Sequence, residues 1–288
     1  MLLKNTLMIV LFFLMTPNAF AADSITAKIQ TKPGTSPQRI VSVNLCTDEL
    51  LLRLVSPERA AAVTKHSANS SISTVAEQTT TIKKIQGTVE DVMSCKADLL
   101  IGGKFSNKQT LHFFQYSEIP VLIFGVPKNF EDIYADIQKL AKAVGESEKG
   151  EQIIKGMEED LLKIRRDIKS KTPKRAVFFQ SGNYVPGSGT FENAIMEAAG
   201  LENIAVPLGI KEYGNLPLEK LIEAKPDVMI FAGDQKRGTT VRGEVLSHPA
   251  MNQALPDLKV VEIPSSMLNC GSPASIEAVR ILVRETSV

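Results

Sequence analysis

The amino-acid sequence predicts an α/β protein of two similar lobes, each with a parallel sheet, joined by one long α-helix. Three observations lead to this prediction: a segment that repeats in the two halves of the chain, short apolar strands that alternate with helices, and a long helical stretch between the halves. A chain of 288 residues is long enough for two lobes, each with its own core.

The repeat is the most informative of the three observations, because self-similarity constrains an architecture before any single motif does. Its copies are residues 89–103 and 218–233, and they begin near Glu90 and Glu219. In both copies the glutamate precedes a lysine by six residues and an aspartate by eight, and an apolar run follows that ends on glycine. Each copy predicts an amphipathic helix, a tight turn and a buried strand, which is half of a βαβ unit.

The elements around the repeat also recur. Residues 39–43 and 175–179 are predicted strands that open the two halves, and a helix follows each of them. Residues 121–124 and 260–263 are β-branched runs that follow a later helix in each half. Strands that alternate with helices and are apolar on both faces predict parallel sheets covered by helices on both sides.

Between the halves, the sequence predicts two consecutive helices. Asn129 is placed to cap the first, and the second covers residues 146–170 and ends before Pro173. At 1.5 Å per residue the second helix spans roughly 35 Å, so it is expected to connect the lobes stiffly. It separates an N-terminal lobe, residues 39–145, from a C-terminal lobe, residues 174–288.

Residues 1–21 predict a cleaved secretory signal peptide. Lys4 provides the positive end, residues 7–15 the apolar run, and Ala19 and Ala21 the small residues before cleavage. The apolar run is far shorter than the roughly 20 residues that span a bilayer, so a membrane anchor is disfavoured. Cysteine is absent at the cleavage region, which disfavours a lipid anchor.

The segment after the signal peptide, residues 22–38, is rich in Thr, Ser, Lys and Pro and predicts a flexible lead-in. In the whole chain, 33 basic residues nearly balance 32 acidic ones, and no basic stripe suggests nucleic acid. We therefore expect a mature protein that is exported from the cytoplasm and does not bind nucleic acid.

The chain has three cysteines. Cys95 lies in an apolar helical pattern and is expected to be a buried small hydrophobe. Cys46 and Cys270 follow predicted strands, so they are the candidate pair for a disulfide in an oxidising compartment. Sequence alone does not supply the geometry of a disulfide, and an unbridged pair stays open as the alternative.

In this order, the features resemble the periplasmic solute-binding proteins of ABC importers for ferric siderophores, cobalamin and haem. The resemblance covers residues 39–284 and is carried by the opening segment 40–44, the two glutamate-containing repeats and the long helix. It implies two Rossmann-like lobes bridged by one helix, a ligand cleft between them, and a monomer that delivers its ligand to an ABC permease dimer in the inner membrane. It also implies that Glu90 and Glu219 dock onto arginines of that permease.

The cleft is expected where open α/β sheets bind ligands, at the carboxyl ends of the strands. The residues predicted to line it are Asn44, Cys46, Thr47, His66, Lys104 and Phe105 in the N-terminal lobe, and Tyr184, Thr190, Arg242, Ser266 and Asn269 in the C-terminal lobe. Aromatic and basic side chains suit an acidic or planar chelate. The chain has no tryptophan, which members of the resembled family that hold cobalamin or hydroxamates often use, so the ligand stays open.

Other chemistry is less well represented in the sequence. The three histidines are spread over both halves, which disfavours a site for a free metal ion, and no cofactor or catalytic residue is expected. A ligand metal would arrive already chelated. The alternative is a periplasmic α/β enzyme with Cys46 as nucleophile and His66 as its partner, although no third group that would orient the pair is identifiable.

Overall fold

The computed structural model describes residues 36–168, 172–233 and 245–286. Its strands are β1 (Ile40–Ser42), β2 (Ala60–Thr64), β3 (Lys84–Ile85), β4 (Leu99–Gly103), β5 (Val121–Phe124), β6 (Lys174–Phe178), β7 (Tyr184–Pro186), β8 (Leu201–Asn203), β9 (Tyr213–Asn215), β10 (Val228–Ala232) and β11 (Lys259–Ile263). Its α-helices are α1 (Leu45–Leu54), α2 (Val89–Ser94), α3 (Lys108–Gln115), α4 (Phe130–Val144), α5 (Ser147–Asp167), α6 (Phe191–Ala198), α7 (Leu218–Ala224), α8 (Pro249–Ala254) and α9 (Ser275–Thr286). The predicted signal peptide, residues 22–35 of the predicted lead-in, and Arg242 lie outside the described residues.

Each lobe contains a parallel sheet, so the predicted fold class is confirmed. The N-terminal sheet has the strand order β3-β2-β1-β4-β5 and the C-terminal sheet the order β11-β10-β6-β8. The strands of the two repeat copies, β4 and β10, occupy matching places beside β1 and β6, the strands that open the lobes. A separate antiparallel pair, β7 and β9, lies in the C-terminal lobe and was not predicted.

The spacing within the repeat has a backbone cause. The lysine of each copy, Lys96 and Lys225, follows its helix in the left-handed region, with φ of 50° and 47°. Residues other than glycine rarely take this conformation, and here it turns the chain from the helix into the strand. The repeat therefore ends each helix at the same distance from the strand that follows.

The aspartate of each copy fastens the neighbouring strand. Asp98 accepts hydrogen bonds from the backbone N–H groups of Gln38 and Arg39, at 2.7 and 2.9 Å. Asp227 accepts one from the N–H of Arg175, at 2.7 Å. Both aspartates thus satisfy backbone donors where the first strand of the lobe begins.

The long helix α5 packs on both lobes. It covers 21 residues, and it begins and ends slightly inside the predicted range of 146–170. Against the N-terminal lobe, Gly150 contacts Ala141 of α4 so closely that a side chain would not fit. Towards the C-terminal lobe, Asp160 pairs with Arg280 of α9 at 2.5 Å. No helix in the described ranges is long and apolar enough to cross a membrane.

The lobes share one hydrophobic core. Alternate residues of the strands, such as Leu99 and Ile101 in β4 and Phe178 in β6, belong to a single apolar cluster that includes α4, α5, α6 and α9. The opposite faces, with Leu100 and Val177, pack in two separate outer clusters, one for each lobe. Because the burial of apolar surface is the main favourable term in folding, this continuous core holds the two sheets together.

The last residues of the predicted lead-in, 36–38, contact the N-terminal lobe. The carbonyl of Pro37 accepts hydrogen bonds from the Arg59 guanidinium at 2.8 and 3.0 Å. Arg59 also pairs with Glu146, directly before α5, at 2.6 Å. This partly buried arginine therefore ties the start of the lobe to the start of the long helix.

Candidate functional site

The floor of the cleft between the lobes is closed by a covalent bond. Cys46 of the N-terminal lobe forms a disulfide with Cys270 of the C-terminal lobe, with the Cα atoms 5.1 Å apart. Cys46 lies in the first turn of α1, the helix that follows β1. Asn44 caps this helix, because its side chain accepts a hydrogen bond from the N–H of Cys46 at 2.9 Å.

Other contacts join the lobes around the disulfide. The Asn269 amide donates a hydrogen bond to the carbonyl of Ile72 at 3.3 Å. The rings of Phe130 and Phe191, in the first turns of α4 and α6, pack edge to face with centroids 5.2 Å apart. The floor therefore joins the starts of several helices by polar, aromatic and covalent contacts.

The disulfide removes the nucleophile of the enzyme hypothesis. A thiolate is the reactive form of cysteine, and Cys46 has no free thiol in this structure. The remaining cysteine, Cys95, is free and buried as predicted. Nothing in the described residues supports a thiol dyad with His66, which is exposed on the N-terminal lobe.

Three hydroxyl residues of the predicted cleft set, Thr47, Thr190 and Ser266, are buried. Thr47 lies 2.7 Å from the Ser42 hydroxyl, and Thr190 caps α6 and donates to the carbonyl of Gly187 at 2.8 Å. Ser266 is 9% exposed, in the turn after β11. The hydroxyl groups of Thr47 and Thr190 therefore hold the end of a strand and the start of a helix.

The N-terminal edge of the cleft carries exposed side chains that remain from the prediction. His66 follows β2, and Lys104 and Phe105 follow β4, so all three lie at the carboxyl edge of the sheet. Phe105 is 78% exposed. Lys104 has no ion-pair partner among the described residues, so this edge offers a free cation and an open aromatic ring.

A buried carboxyl group supports the turn that carries His66. Asp48 in α1 accepts hydrogen bonds from the backbone N–H of Thr64 at 3.0 Å and from its hydroxyl at 2.6 Å. Burial raises the pKa of Asp48 to about 8. Because α1 also carries Cys46, this contact connects the floor of the cleft to its N-terminal edge.

The C-terminal edge contains a pocket of about 380 Å³. It is lined by Phe179, Gln180, Ser181, Tyr184, Tyr213 and Ala232. Tyr184, one of the predicted residues, is 49% exposed, and Tyr213 is 51% exposed. The pocket follows the ends of β6 and β10, which is where parallel sheets bind ligands.

A carboxyl group stands behind the pocket wall. The hydroxyl of Tyr213 lies 3.0 Å from both carboxyl oxygens of Glu192, and the Gln180 amide donates to the same carboxyl at 3.4 Å. Burial raises the pKa of Glu192 above its ordinary value, and burial together with this carboxyl raises the pKa of Tyr213. Hydrogen bonds to Glu192 therefore hold the Tyr213 phenol and the Gln180 amide in place in the pocket wall.

Sequence reasoning missed Tyr213, Gln180 and Glu192. Tyr213 comes to the pocket because β9 pairs with β7, where Pro186 is opposite Tyr213. These strands have three residues each, too few to show an alternating pattern. The only local signal was the Tyr-Gly-Asn sequence at 213–215, which is common in turns.

One ion pair crosses the cleft near this pocket. Lys128 of the N-terminal lobe donates to the Glu212 carboxylate of the C-terminal lobe at 3.1 Å, and both side chains are largely exposed. Exposed pairs of this kind contribute little to stability, typically about 0–1 kcal/mol. Glu212 is next to Tyr213 in the chain, so this ion pair joins the two edges of the cleft beside the pocket. Because the pair is exposed, breaking it would cost little free energy.

The two glutamates of the repeat occupy equivalent exposed positions. Glu90 lies in the first turn of α2 and Glu219 in the first turn of α7. Thr88 caps α2 with a capping box, whereas Pro217 precedes α7 without a side-chain cap. The backbone N–H of Glu90 and the Thr88 side chain hold the pKa of Glu90 below its ordinary value.

Among the described residues, no group of three or more His, Cys, Asp or Glu side chains is arranged to hold a metal ion. His112 is exposed, and its ring centroid lies 5.0 Å from that of Tyr116. The geometry of the cleft is that of an open binding surface with aromatic, amide and cationic groups on two facing edges.

The sequence matches the family model of the periplasmic binding proteins over residues 40–266. A curated relative, the uncharacterized ABC transporter substrate-binding lipoprotein YvrC of Bacillus subtilis (strain 168), is 22% identical over 255 residues. The match covers 85% of this chain and 79% of that protein.

Solved structures of similar fold include two described as periplasmic haem-binding proteins. RhuT of Roseiflexus sp. RS-1 in apo form is 22% identical with a TM-score of 0.70, over 86% of this chain and 97% of that one. HutB of Vibrio cholerae is 21% identical with a TM-score of 0.73, over 86% and 99%. A periplasmic binding protein of Veillonella parvula is 17% identical with a TM-score of 0.70, over 88% and 93%. At these identities the similarity establishes the fold.

Proposed function

This chain belongs to the periplasmic binding protein family and is a substrate-binding component of an ABC transporter; we propose that its substrate is a metal chelate. A ferric siderophore, a cobalamin or a haem-like tetrapyrrole would bind in the cleft and pass from there to an inner-membrane permease dimer. The observation that carries the proposal is the pocket at the C-terminal edge, with Tyr184 and Tyr213 half exposed opposite the N-terminal edge.

The side chains of the cleft favour a chelate over a free metal ion. Free ions need several carboxylate, imidazole or thiolate ligands that converge on one point, and the described residues contain no such cluster. Aromatic rings and amide groups suit the organic surface of a chelate, through stacking and hydrogen bonds. The solved relatives described as haem-binding agree with this class of ligand.

The proposed location is the periplasm. The predicted signal peptide at residues 1–21 would be removed after export, which leaves a mature monomer free to diffuse between ligand and permease. A disulfide between Cys46 and Cys270 agrees with an oxidising compartment.

A screen by thermal unfolding tests the ligand. A ligand that binds the native state alone stabilises it by RT ln(1 + [L]/Kd), so a true ligand raises Tm with concentration. We expect one class among ferric haem, ferric siderophores of the hydroxamate and catecholate types, and cyanocobalamin to raise Tm, and the metal-free siderophores to raise it less. Failure of every chelate in the screen to raise Tm at any concentration tested would contradict the proposal.

Docking to the permease is proposed for Glu90 and Glu219. Their helices occupy matching places in the two lobes, and exposed carboxylates in such positions give the charge complementarity that orients two partners. The double variant Glu90→Ala with Glu219→Ala should keep the ligand-induced rise in Tm and lose uptake by cells. A matched control with the same change of charge is Glu118→Ala with Glu202→Ala, both at exposed positions. Equal uptake by the two double variants would contradict the docking role.

A further inference from the structure

A polar segment, residues 65–74, forms part of the N-terminal edge of the cleft, and we call it the edge loop. It follows β2, carries the exposed His66, and consists mostly of polar residues. Its own hydrogen bonds keep it compact, because the N–H groups of Ile72 and Ser73 both donate to the carbonyl of Asn69, at 3.1 and 2.9 Å. With few apolar side chains to bury, the loop depends on polar contacts for its position.

Helix α1 holds the edge loop at both ends. Before the loop, Asp48 accepts hydrogen bonds from the N–H and the hydroxyl of Thr64. At the end of the loop, the buried Glu49 accepts a hydrogen bond from the N–H of Thr74 at 2.9 Å. The Arg53 guanidinium donates to the Thr74 hydroxyl at 2.7 Å. Each end of the loop is therefore bonded twice to the same helix.

The contact at Thr74 uses charged groups on a helix that otherwise packs leucines, such as Leu50 and Leu51, into the core. Burial lowers the pKa of Arg53, and the charge of Glu49 opposes this shift. Replacing buried, paired charges by apolar groups of similar size is often neutral or stabilising, so such charges are weak evidence for a gain in stability. Hydrogen bonds require a defined distance and direction, which makes these contacts suited to fixing a position.

The edge loop and α1 also contact adjacent residues of the C-terminal lobe. The Asn269 amide donates to the carbonyl of Ile72 at 3.3 Å, and Cys270 is bonded to Cys46 in α1. The helix, the loop and this segment of the C-terminal lobe are thus each bonded to the other two. The contact between α1 and the edge loop therefore helps to set the distance between His66 and the C-terminal lobe.

We propose that Glu49 and Arg53 are positioning residues for the ligand site: they hold the edge loop in the place where it forms the N-terminal edge of the cleft. The proposal rests on the proposed function, because it assigns the edge loop to the site where the chelate binds. A ligand that requires the loop in this place binds with an apparent affinity that falls with the fraction of molecules in which the loop is so placed.

Hydrogen–deuterium exchange of the full mature protein without ligand tests the hold on the loop. Glu49→Leu with Arg53→Met removes both bonds to Thr74 and leaves neither charge alone, whereas Thr74→Val removes only the hydroxyl. Losing one hydrogen bond to a charged group should speed exchange in residues 65–74 about tenfold in Thr74→Val, and losing two should speed it further in the double variant. Thr74→Ser, which keeps the hydroxyl, and Arg166→Met, at an exposed position of α5, should exchange like wild type.

Calorimetric titration tests whether the held loop serves ligand binding. The probes are ferric haem, a ferric hydroxamate siderophore, a ferric catecholate siderophore and cyanocobalamin. A probe that binds wild type should bind the double variant at least about threefold more weakly, because fewer molecules have the loop in place. It should bind Thr74→Ser and Arg166→Met with the affinity of wild type.

The outcomes separate this proposal from the proposed function. Exchange in residues 65–74 that neither Thr74→Val nor the double variant changes would overturn the positioning role, and Thr74→Val decides alone if the double variant does not fold. Equal affinity of a probe for wild type and for a double variant with faster exchange would also overturn it and leave the proposed function in place. Faster exchange in a protein that binds none of the four probes would support the hold on the loop and overturn the proposed function.

Discussion

The two lobes are built on the same repeated unit, yet they present different edges to the cleft. In both, a lysine in the left-handed region ends the helix and an aspartate fastens the opening strand. The N-terminal edge is supported by the buried Asp48 and carries Lys104, which has no ion-pair partner in the part of the chain that the structure describes, whereas the C-terminal edge is an antiparallel strand pair with an aromatic pocket. The backbone conformation and hydrogen bonds of the repeated unit are thus the same in both lobes. The lobes differ in the side chains and strands at the edges of the cleft.

The largest expected effect comes from removing the disulfide that links the two lobes. Replacing Cys46 and Cys270 together by alanine frees two points that are 224 residues apart in the chain. Loss of a native disulfide typically costs about 2–5 kcal/mol, so the free energy of unfolding should fall by that amount, measured by urea denaturation. The shared core should keep unfolding cooperative. Two separate transitions would show that the lobes are independent without the disulfide, contrary to the continuous core.

A second effect belongs to the N-terminal edge alone. Burial raises the pKa of Asp48 from 3.8 to about 8, so the folded state binds its proton more tightly than the unfolded state. The contribution of this proton to the free energy of unfolding is fully present below pH 4 and falls as pH rises from about 4 to 8, with a slope of at most about 1.4 kcal/mol per pH unit.

The variant Asp48→Asn resembles the protonated form of Asp48, so the free energy of unfolding of wild type relative to this variant should fall over that range. The exposed Asp257→Asn is the control. A constant difference between wild type and Asp48→Asn from pH 5 to 8 would show that Asp48 is ionised when folded.

A third comparison sets the two aspartates of the repeat against each other. Asp98 accepts two backbone hydrogen bonds and Asp227 one. We expect Asp98→Ala to cost about 2 kcal/mol and Asp227→Ala about 1 kcal/mol in the free energy of unfolding, since each net hydrogen bond contributes about 1 kcal/mol or slightly more. Chemical denaturation of the two variants measures the difference, and a larger loss for Asp227→Ala would reverse the assigned roles.

The smallest effect should be equal in the two lobes. Lys96 and Lys225 have positive φ, a conformation that costs non-glycine residues roughly 1 kcal/mol. Lys96→Gly and Lys225→Gly should therefore each stabilise the protein by up to about 1 kcal/mol, less the entropy that glycine gains in the unfolded chain. Matched Lys→Ala variants, which keep a Cβ, should give no gain. Loss of stability in both glycine variants would mean that the lysine side chains have another role.

Much of the fold could be predicted because it repeats. The six- and eight-residue spacings from Glu90 and Glu219 place a helix end and a strand start in each lobe, and apolar runs mark the strands. The hydroxyl groups of Thr47 and Thr190 were assigned to the ligand because they follow strands, but whether such a group is buried depends on the packing of the helix start above it. No local pattern reports that packing.

The candidate site was predicted less well than the fold. Tyr184 was found because it follows β6 closely, whereas Tyr213 and Glu192 meet only through the pairing of two three-residue strands and the first turn of α6. Contacts between short, distant segments depend on tertiary structure, and sequence periodicity does not encode them. The bond between Cys46 and Cys270 could be suggested from the compartment, but its place on the cleft floor could not.

The central claim is that a chelate binds between the two lobes and touches both edges. Hydrogen–deuterium exchange, measured with and without the chelate that raises Tm, tests it most directly, because protection appears where the ligand and the closing edges exclude water. We predict slower exchange around His66 and Lys104 in the N-terminal lobe and around Gln180, Tyr184 and Tyr213 in the C-terminal lobe. Protection confined to one lobe, or located only away from these edges, would contradict binding in the cleft.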